Sequence, residues 1–215
     1  MSSEATTLTA ADFAGLGTCV LVPEQTEGPF YLDADLVRRD ITEGLSGHPL
    51  RLGLRVVDAA CEPLPAATVD VWHADVDGDY SAYSDGSTDR GDGDGADGTT
   101  FLRGSQLSDD EGIVEFATVY PGWYRGRTVH IHCKVHLADG TMLTTQLYFP
   151  EDRTAEVYGE EPYAARAADQ DTHNADDSVS GGDPAANGNL LSTSADGAGT
   201  TALLVVGVDP AGAGS

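Results

Sequence analysis

Residues 128–149 read TVHIHCKVHLADGTMLTTQLYF and contain two strand-like runs, 128–137 and 142–149. β-Branched and aromatic residues, which strands favour, recur through both runs. The triplet Ala-Asp-Gly at 138–140 is a turn sequence. The segment therefore predicts a β-hairpin.

Four further runs have the length and composition of strands, and turn-forming residues separate them. They lie at 50–58, 67–74, 112–119 and 201–208. Helical periodicity is nearly absent, and only 150–170 has room for a helical turn or two. Short strands with turns between them predict an all-β fold, a two-sheet β-sandwich with long surface loops and little helix.

The length of 215 residues, of which 40% are hydrophobic, fits one globular domain with a sizeable core. We expect an irregular N-terminal segment at 1–18 and a single domain at 19–210. Two long loops are predicted, at 84–100 and 178–199. The first is rich in Asp and Gly, but its spacing matches neither an EF-hand nor a nonapeptide repeat, so a mobile, solvated loop is favoured over a calcium site.

The formal net charge is −25, from 36 acidic and 11 basic residues. Such a surface repels phosphate backbones and anionic lipid headgroups, so neither nucleic acid nor a membrane is an expected partner. No apolar run is long enough to cross a bilayer, and the first ten residues lack the charged and apolar regions of a signal peptide. The charge predicts nothing more specific about function.

The first run of the hairpin holds three of the six histidines, and two of them, His130 and His132, are only two positions apart. Successive side chains of a strand alternate between its faces, so both imidazoles share one face and Cys133 points to the other, into the core. The same spacing is also typical of two ordinary polar residues on a half-exposed sheet. The interpretation therefore depends on the residues that accompany the histidines.

Two tyrosines, Tyr80 and Tyr124, give the histidines a chemical context, although each alone is typical of a core or surface aromatic. Two phenolates and two imidazoles form a hard N₂O₂ ligand set, which suits trivalent iron better than zinc, magnesium or calcium. A nearby cation would lower the tyrosine pKa from its usual value of about 10. Tyr83 has nearly the same spacing as Tyr80, so the residues alone leave the choice between them open.

Four stretches together resemble the intradiol ring-cleaving dioxygenases, the family that cleaves catechol and protocatechuate. They read TEGPFY at 26–31, VDVWHADVDGDY at 69–80, VYPGWYRGRTVHIH at 119–132 and TTQLYF at 144–149. The resemblance runs from about residue 19 to residue 149. It depends on the order of two tyrosines, an arginine, two histidines and a later Thr-Gln pair, a combination that is far more specific than any one stretch.

The resemblance implies which residues form the site. A non-heme iron(III) would be held by four ligands, with Tyr80 rather than Tyr83 among them, and two further residues would lie beside the bound substrate. The implied ligands are Tyr80, Tyr124, His130 and His132, and the implied pocket residues are Arg127 and Gln146. Tyr124 is implied to be a catalytic residue as well, because it is the ligand that substrate displaces.

The implied reaction is cleavage of a catechol-type ring by O₂, between its two hydroxylated carbons, to give a cis,cis-muconate-type diacid. The cationic Arg127 is suited to stabilise charge that develops on the ring and its oxygens. No organic cofactor or external reductant is implied. The ring substituents of the substrate and the oligomeric state stay open.

The cysteines carry a second implication of the resemblance. Cys19 and Cys61 match a pair found in the compact, often secreted branch of the family, which implies a disulfide between them and an extracellular location. The chain also lacks the longer helical N-terminal region of other catechol enzymes. Two free thiols in a cytoplasmic protein are the alternative, since no export signal is visible.

Two other functions are weighed against the dioxygenase. A non-catalytic β-sandwich module that binds carbohydrate or a protein partner would explain the fold and the acidic surface, but not the order of the tyrosines, arginine and histidines. A cupin-like dioxygenase or a metal-dependent hydrolase would be expected to place a carboxylate among its metal ligands, and none lies at ligand spacing beside His130.

Overall fold

The computed structural model describes residues 7–16, 20–33, 35–83 and 98–209. Eight strands dominate these residues, and the helices are short. The strands are β1 Pro49–Val57, β2 Thr68–Trp72, β3 Arg103–Leu107, β4 Ile113–Val119, β5 His130–His136, β6 Met142–Tyr148, β7 Ser192–Asp196 and β8 Gly199–Gly207. The helices are a 3₁₀ turn at Ala10–Phe13 and three α-helices, α1 Glu151–Val157, α2 Ala164–Ala167 and α3 Pro184–Asn187.

The strands form two four-stranded sheets, which we call the β1 sheet and the β5 sheet. The β1 sheet has the order β4-β1-β8-β7, and the β5 sheet has the order β3-β2-β5-β6. β1 runs parallel to β8, and the other neighbours are antiparallel. β5 lies between β2 and β6, so both of its edges are hydrogen-bonded and its position is rigid.

The apolar faces of the two sheets supply one hydrophobic core. Leu52 and Leu54 of β1, Phe116 of β4, and Ile131 and Cys133 of β5 are fully buried in it. Within β1 and within β5 these residues are spaced by two, the strand period, so one face of each strand meets the core. The predicted all-β sandwich is confirmed, and its core consists of the apolar residues that recur at every second position of these strands.

Each of the six predicted strands overlaps an observed one, and residues 138–140 form the turn of the β5–β6 hairpin. The predicted helical turns in 150–170 are α1 and α2. The sequence analysis missed β3 and β7, both of which are short, polar and at a sheet edge. An edge strand needs only one hydrogen-bonded side and little apolar surface, so its sequence carries a weak strand signal.

The loop prediction for 178–199 was wrong in part, because α3 and β7 lie within it. Residues 84–97 hold most of the predicted Asp/Gly-rich loop and lie outside the described residues, so the expectation of a solvated loop rather than a calcium site stays a prediction. No helix that the described ranges form is long and apolar enough to cross a membrane.

Within the N-terminal segment, Leu8 and Phe13 pack with Ile113 in a second, smaller apolar cluster. Cys133 is a free, buried thiol, as expected. Cys61 is disulfide-bonded. Cys19 lies outside the described residues, so its pairing with Cys61 stays a prediction.

Candidate active site

The two histidines of β5 lie on the face of the sheet that points away from the core. Their neighbours Ile131 and Cys133 are completely buried on the other face, as strand alternation requires. The imidazoles are nevertheless buried, with His130 3% and His132 1% exposed, because loops cover this face. Their Nε2 atoms lie 3.2 Å apart.

Both tyrosines named from the sequence meet the histidines. The hydroxyl of Tyr80 lies 3.4 Å from His130 Nε2, and that of Tyr124 lies 3.3 Å from the same atom. The structure therefore brings together four side chains that are up to 52 positions apart in the chain. Tyr83 instead contacts the ring of Phe30 edge-on, at a centroid distance of 5.3 Å, and no hydrogen bond joins it to either histidine among the described residues.

Hydrogen bonding and stacking fix the orientation of both imidazoles. His130 Nδ1 lies 2.7 Å from the carbonyl oxygen of Thr128, which can only accept, so Nδ1 carries the proton and Nε2 presents a lone pair to the cluster. The His132 ring stacks on Trp72, with centroids 4.8 Å apart and planes 8° from parallel. Gly28 lies against the Cε1–Nε2 edge of the His132 ring, since a Cβ on Gly28 would stand 3.3 Å from His132 Cε1 and 3.9 Å from Nε2.

Burial controls the protonation of these side chains. It lowers the pKa of His130 to about 3, an effect that the Arg127 cation reinforces, and it lowers the pKa of His132 well below its usual value. Both imidazoles are therefore neutral and able to donate lone pairs at neutral pH. Burial also raises the pKa of Tyr80 and of Tyr124, so neither phenol ionises at neutral pH unless a cation stabilises the phenolate.

The convergent donors fit a bound metal ion. Each nitrogen or oxygen ligand of a transition metal lies about 2.0–2.2 Å from the ion, which puts neighbouring ligands about 3 Å apart, close to the observed separations. One lone pair on His130 Nε2 cannot bond well to three neighbours at once, whereas one cation can bind all four donors. Within the described ranges no three His, Cys, Asp or Glu side chains form a metal-binding group, so the tyrosines are needed to complete any set here.

Arg127 and Gln146, the two other residues named from the sequence, lie beside this cluster. Arg127 Nη1 donates to the Tyr124 hydroxyl at 3.3 Å, and its Nη2 donates to Gln146 Oε1. The third donor, Nε, bonds to the carboxylate of Asp177 at 2.8 Å. A guanidinium cation thus faces the side of the cluster on which the half-buried Tyr124 lies.

An aromatic wall packs against the two tyrosines. Phe30 stacks on Tyr80 with centroids 4.4 Å apart and lies edge-on to Tyr124 at 6.5 Å. Arg103, only 3% exposed, holds this wall by donating to the carbonyls of Phe30 and Ser81 at 2.6 and 2.8 Å. Burial lowers the pKa of Arg103 to about 10, so it still carries its charge at neutral pH.

Sequence reasoning missed Arg103, Asp177 and also Gln25, whose Oε1 accepts from the backbone N–H of Gln146 at 3.0 Å. Arg103 opens a strand that was not predicted, and the other two lie in irregular segments that meet the site only in the folded chain. No local pattern in the sequence marks any of the three.

Comparison with known proteins finds a family model and related sequences. Residues 23–183 match a family model described as "Dioxygenase". A catechol 1,2-dioxygenase of Acinetobacter baylyi is 28% identical over 179 residues, which cover 73% of this chain and 54% of that protein. A chlorocatechol 1,2-dioxygenase of Rhodococcus opacus is 27% identical over 177 residues, covering 67% and 62%. The chain thus spans little more than half the length of these curated relatives.

Solved structures give a longer match. An intradiol ring-cleavage dioxygenase from Tetranychus urticae superposes with a TM-score of 0.82 at 29% identity, covering 90% of this chain and 96% of that one. The dioxygenase domain of a dioxygenase and carbohydrate-binding protein fusion from Streptomyces sp. SirexAA-E has a TM-score of 0.64 at 29% identity, covering 88% and 98%. The two-sheet architecture is shared along nearly the whole described chain.

Proposed function

Because the chain belongs to the intradiol ring-cleavage dioxygenase family, a family of oxidoreductases, we propose that it cleaves a catechol-type ring between the two hydroxylated carbons with O₂. We propose that iron(III) is held by Tyr80, Tyr124, His130 and His132. The observation that carries the proposal is that the other three donor atoms all lie within 3.4 Å of His130 Nε2, beside the largely buried guanidinium of Arg127.

The chemistry of the donors supports a hard, highly charged cation. The two neutral imidazoles supply lone pairs, and the two phenols supply oxygen once a cation has displaced their protons. When bound, the iron would act as a Lewis acid that holds the two catechol oxygens and prepares the ring for reaction with O₂.

The two tyrosines have different tasks in this proposal. Tyr80 is 3% exposed and is covered by the stacked ring of Phe30, so it stays in place. Tyr124 is half-buried and its hydroxyl receives a hydrogen bond from Arg127. A catechol must lose its hydroxyl protons to bind as a dianion, and the Tyr124 oxygen is the accessible base that accepts one of them.

Arg127 stabilises negative charge in this proposal. Its Nη1 points to the Tyr124 oxygen, so it also lies close to an anionic substrate oxygen that takes that place. A guanidinium is always protonated and planar, and a preorganised donor of this kind stabilises charge that develops during reaction. Gln146 accepts from Nη2 and donates to the Thr26 carbonyl at 2.9 Å, which links the guanidinium to the covering segment.

A pair of matched substitutions tests the proposal. Tyr80→Phe removes one candidate ligand oxygen, while Tyr83→Phe makes the same change three residues away in the same aromatic cluster. We expect iron-loaded wild type and Tyr83→Phe to be red-brown from tyrosinate-to-iron charge transfer and to consume O₂ with a catechol. Tyr80→Phe should lose most of the visible band and most of the activity.

The metal content, the visible spectrum and O₂ uptake over a panel of substituted catechols are the measurements. Product formed under ¹⁸O₂ should be a cis,cis-muconate-type diacid that carries both labelled atoms. A colourless, zinc-loaded wild type with full activity would reject the iron assignment, as would equal losses in the two tyrosine variants.

We further propose that Cys19 is the partner of Cys61 and that the protein works in an oxidising, extracellular compartment. Support comes from the disulfide-bonded state of Cys61 together with the free, buried state of Cys133. The chain has three cysteines, so Cys19 is the remaining candidate.

A further inference from the structure

We infer that Asp177 and Gln25 are positioning residues that hold the guanidinium of Arg127 through a closed ring of hydrogen bonds. The hydrogen bonds of the ring are present in the structure itself, whereas their effect on turnover rests on the proposed function. Both residues act through Arg127 and neither touches the four candidate ligands through a hydrogen bond.

Asp177 forms the first half of the ring. Its side chain is 0% exposed, and its Oδ2 accepts from Arg127 Nε and from the backbone N–H of Thr128, both at 2.8 Å. Its Oδ1 accepts from the backbone N–H groups of Val179 and Ser180 at 2.8 and 3.0 Å. An ionised carboxylate has about four acceptor sites, so this one is fully occupied and has no alternative orientation.

The charge of Asp177 is stable in this place. Burial opposes its ionisation, but the Thr128 N–H and the Arg127 cation outweigh that effect and lower the pKa of the carboxyl. Arg127 is therefore paired with an anion in an otherwise buried setting, which avoids the cost of an unpaired buried charge.

Gln25 forms the second half. Its Nε2 donates to the carbonyl of Val179 at 2.6 Å, and its Oε1 accepts from the backbone N–H of Gln146 at 3.0 Å. Gln146 Oε1 in turn accepts from Arg127 Nη2. The ring thus runs from Arg127 through Asp177, Val179, Gln25 and Gln146 back to Arg127.

The ring leaves one edge of the guanidinium free for the site. It occupies Nε and Nη2, and because the guanidinium is a rigid plane, these two bonds fix the direction of Nη1 toward the Tyr124 hydroxyl. A group that stabilises developing charge must be held to within a fraction of an ångström, and a 1 Å displacement can cost about 10²-fold in rate.

Asp177→Asn and Gln25→Met test the ring, and both keep the side-chain volume. Asp177→Asn removes the charge and replaces one acceptor oxygen by an NH₂ donor, whereas Gln25→Met removes both the donor and the acceptor of the side chain. Asp171→Asn is the matched control. Asp171 lies in the same segment and accepts from Gly126 N at 3.0 Å, but its charged neighbour is the exposed Arg125 at 3.9 Å.

With iron-loaded protein and catechol, Asp177→Asn should lower kcat about 10²-fold and Gln25→Met about 10-fold, with smaller changes in KM and an unchanged visible band. Asp171→Asn should behave as wild type. In an Arg127→Met background, Asp177→Asn should cost less than about 2-fold more, because residues that act through one partner are not additive. Full additivity in that background, or an equal loss in Asp171→Asn, would overturn the inference.

A measurement without turnover separates this inference from the proposed function. The chain has only ten arginines, so the ¹⁵Nε–H spectrum of the metal-free protein is sparse, and the Arg127 signal is the one absent from Arg127→Lys. We expect its Nε–H to exchange at least about 10-fold faster in Asp177→Asn, and to be unchanged in Asp171→Asn. If that difference is seen while wild type has no dioxygenase activity, the ring stands and the proposed function fails. If Arg127 Nε–H exchanges as fast as that of Arg125 in active wild type, the ring is rejected.

Discussion

Gly28→Ala should disturb the metal site through one methyl group. Gly28 has a φ of +71°, in the left-handed region, and a Cβ built there would lie 3.3 Å from His132 Cε1 and 3.9 Å from its Nε2. The left-handed conformation costs a non-glycine residue about 1–2 kcal/mol. The methyl group would also press on an imidazole whose plane is fixed by Trp72.

The backbone strain and the contact with His132 should affect two different measurable properties, the stability of the protein and its affinity for iron. The backbone strain lowers the free energy of unfolding of the metal-free protein. The pressure on His132 moves a candidate ligand by a few tenths of an ångström, and we expect at least a tenfold loss of iron affinity, which corresponds to about 1.4 kcal/mol.

Gly140→Ala is the matched control. Gly140 lies in the β5–β6 turn at φ +91°, and a Cβ there would meet no other heavy atom within 4 Å. It therefore carries the backbone strain without any contact near the site. Urea unfolding of the metal-free proteins should show a loss of about 1–2 kcal/mol in both variants.

Competition with an iron chelator, together with the visible spectrum, gives the second comparison. Only Gly28→Ala should bind iron more weakly and show a shifted charge-transfer band. Equal iron affinity in the two variants would refute the reasoning, because it would mean that the approach of Gly28 to His132 does not matter for the site.

Three further predictions concern other parts of the molecule. Burial lowers the pKa of His73 from 6.5 to about 4. As the pH falls, the unfolded chain therefore binds a proton before the folded one does, and the free energy of unfolding decreases between about pH 6.5 and 4, by up to roughly 1.4 kcal/mol per pH unit. His73→Gln should flatten that slope in pH-dependent unfolding, and an unchanged slope would contradict the prediction. Arg127→Lys should keep iron and colour but lose roughly 10²–10³ in turnover, because a lysine cannot reproduce a planar fork; wild-type turnover would count against the role. Thiol titration of denatured, unreduced protein should find one cysteine, Cys133, and a count of three would reject the Cys19–Cys61 bridge.

Much of the fold could be predicted from the sequence because apolar and polar residues alternate along most of its strands. Strands with a buried face, such as β5, repeat apolar residues at every second position, and that pattern is independent of distant contacts. β3 and β7 carry no such pattern, since RGSQL and STSAD owe their strand conformation to a neighbour already in place.

The candidate site likewise contains residues that the sequence could indicate and residues that it could not. The pair at His130 and His132 follows from one strand, and the tyrosines and Arg127 follow from a resemblance in their order. Gln25 reaches its partner Val179 across 154 positions of sequence, and Asp177 reaches Arg127 across 50. Such pairs depend on how loops cross the outside of the sheet, which residue-by-residue patterns do not encode.

The alternation along β5 also protects the protein against misfolding. If β5 slipped by one position against β2 and β6, every side chain would change faces. The imidazoles of His130, His132 and His136 would then enter the apolar interior, where an unpartnered polar group is costly, and Ile131 would leave it. A mispaired intermediate would therefore lose its core and its metal ligands together. Selection for chemistry on one face of this strand is at the same time selection for correct pairing during folding.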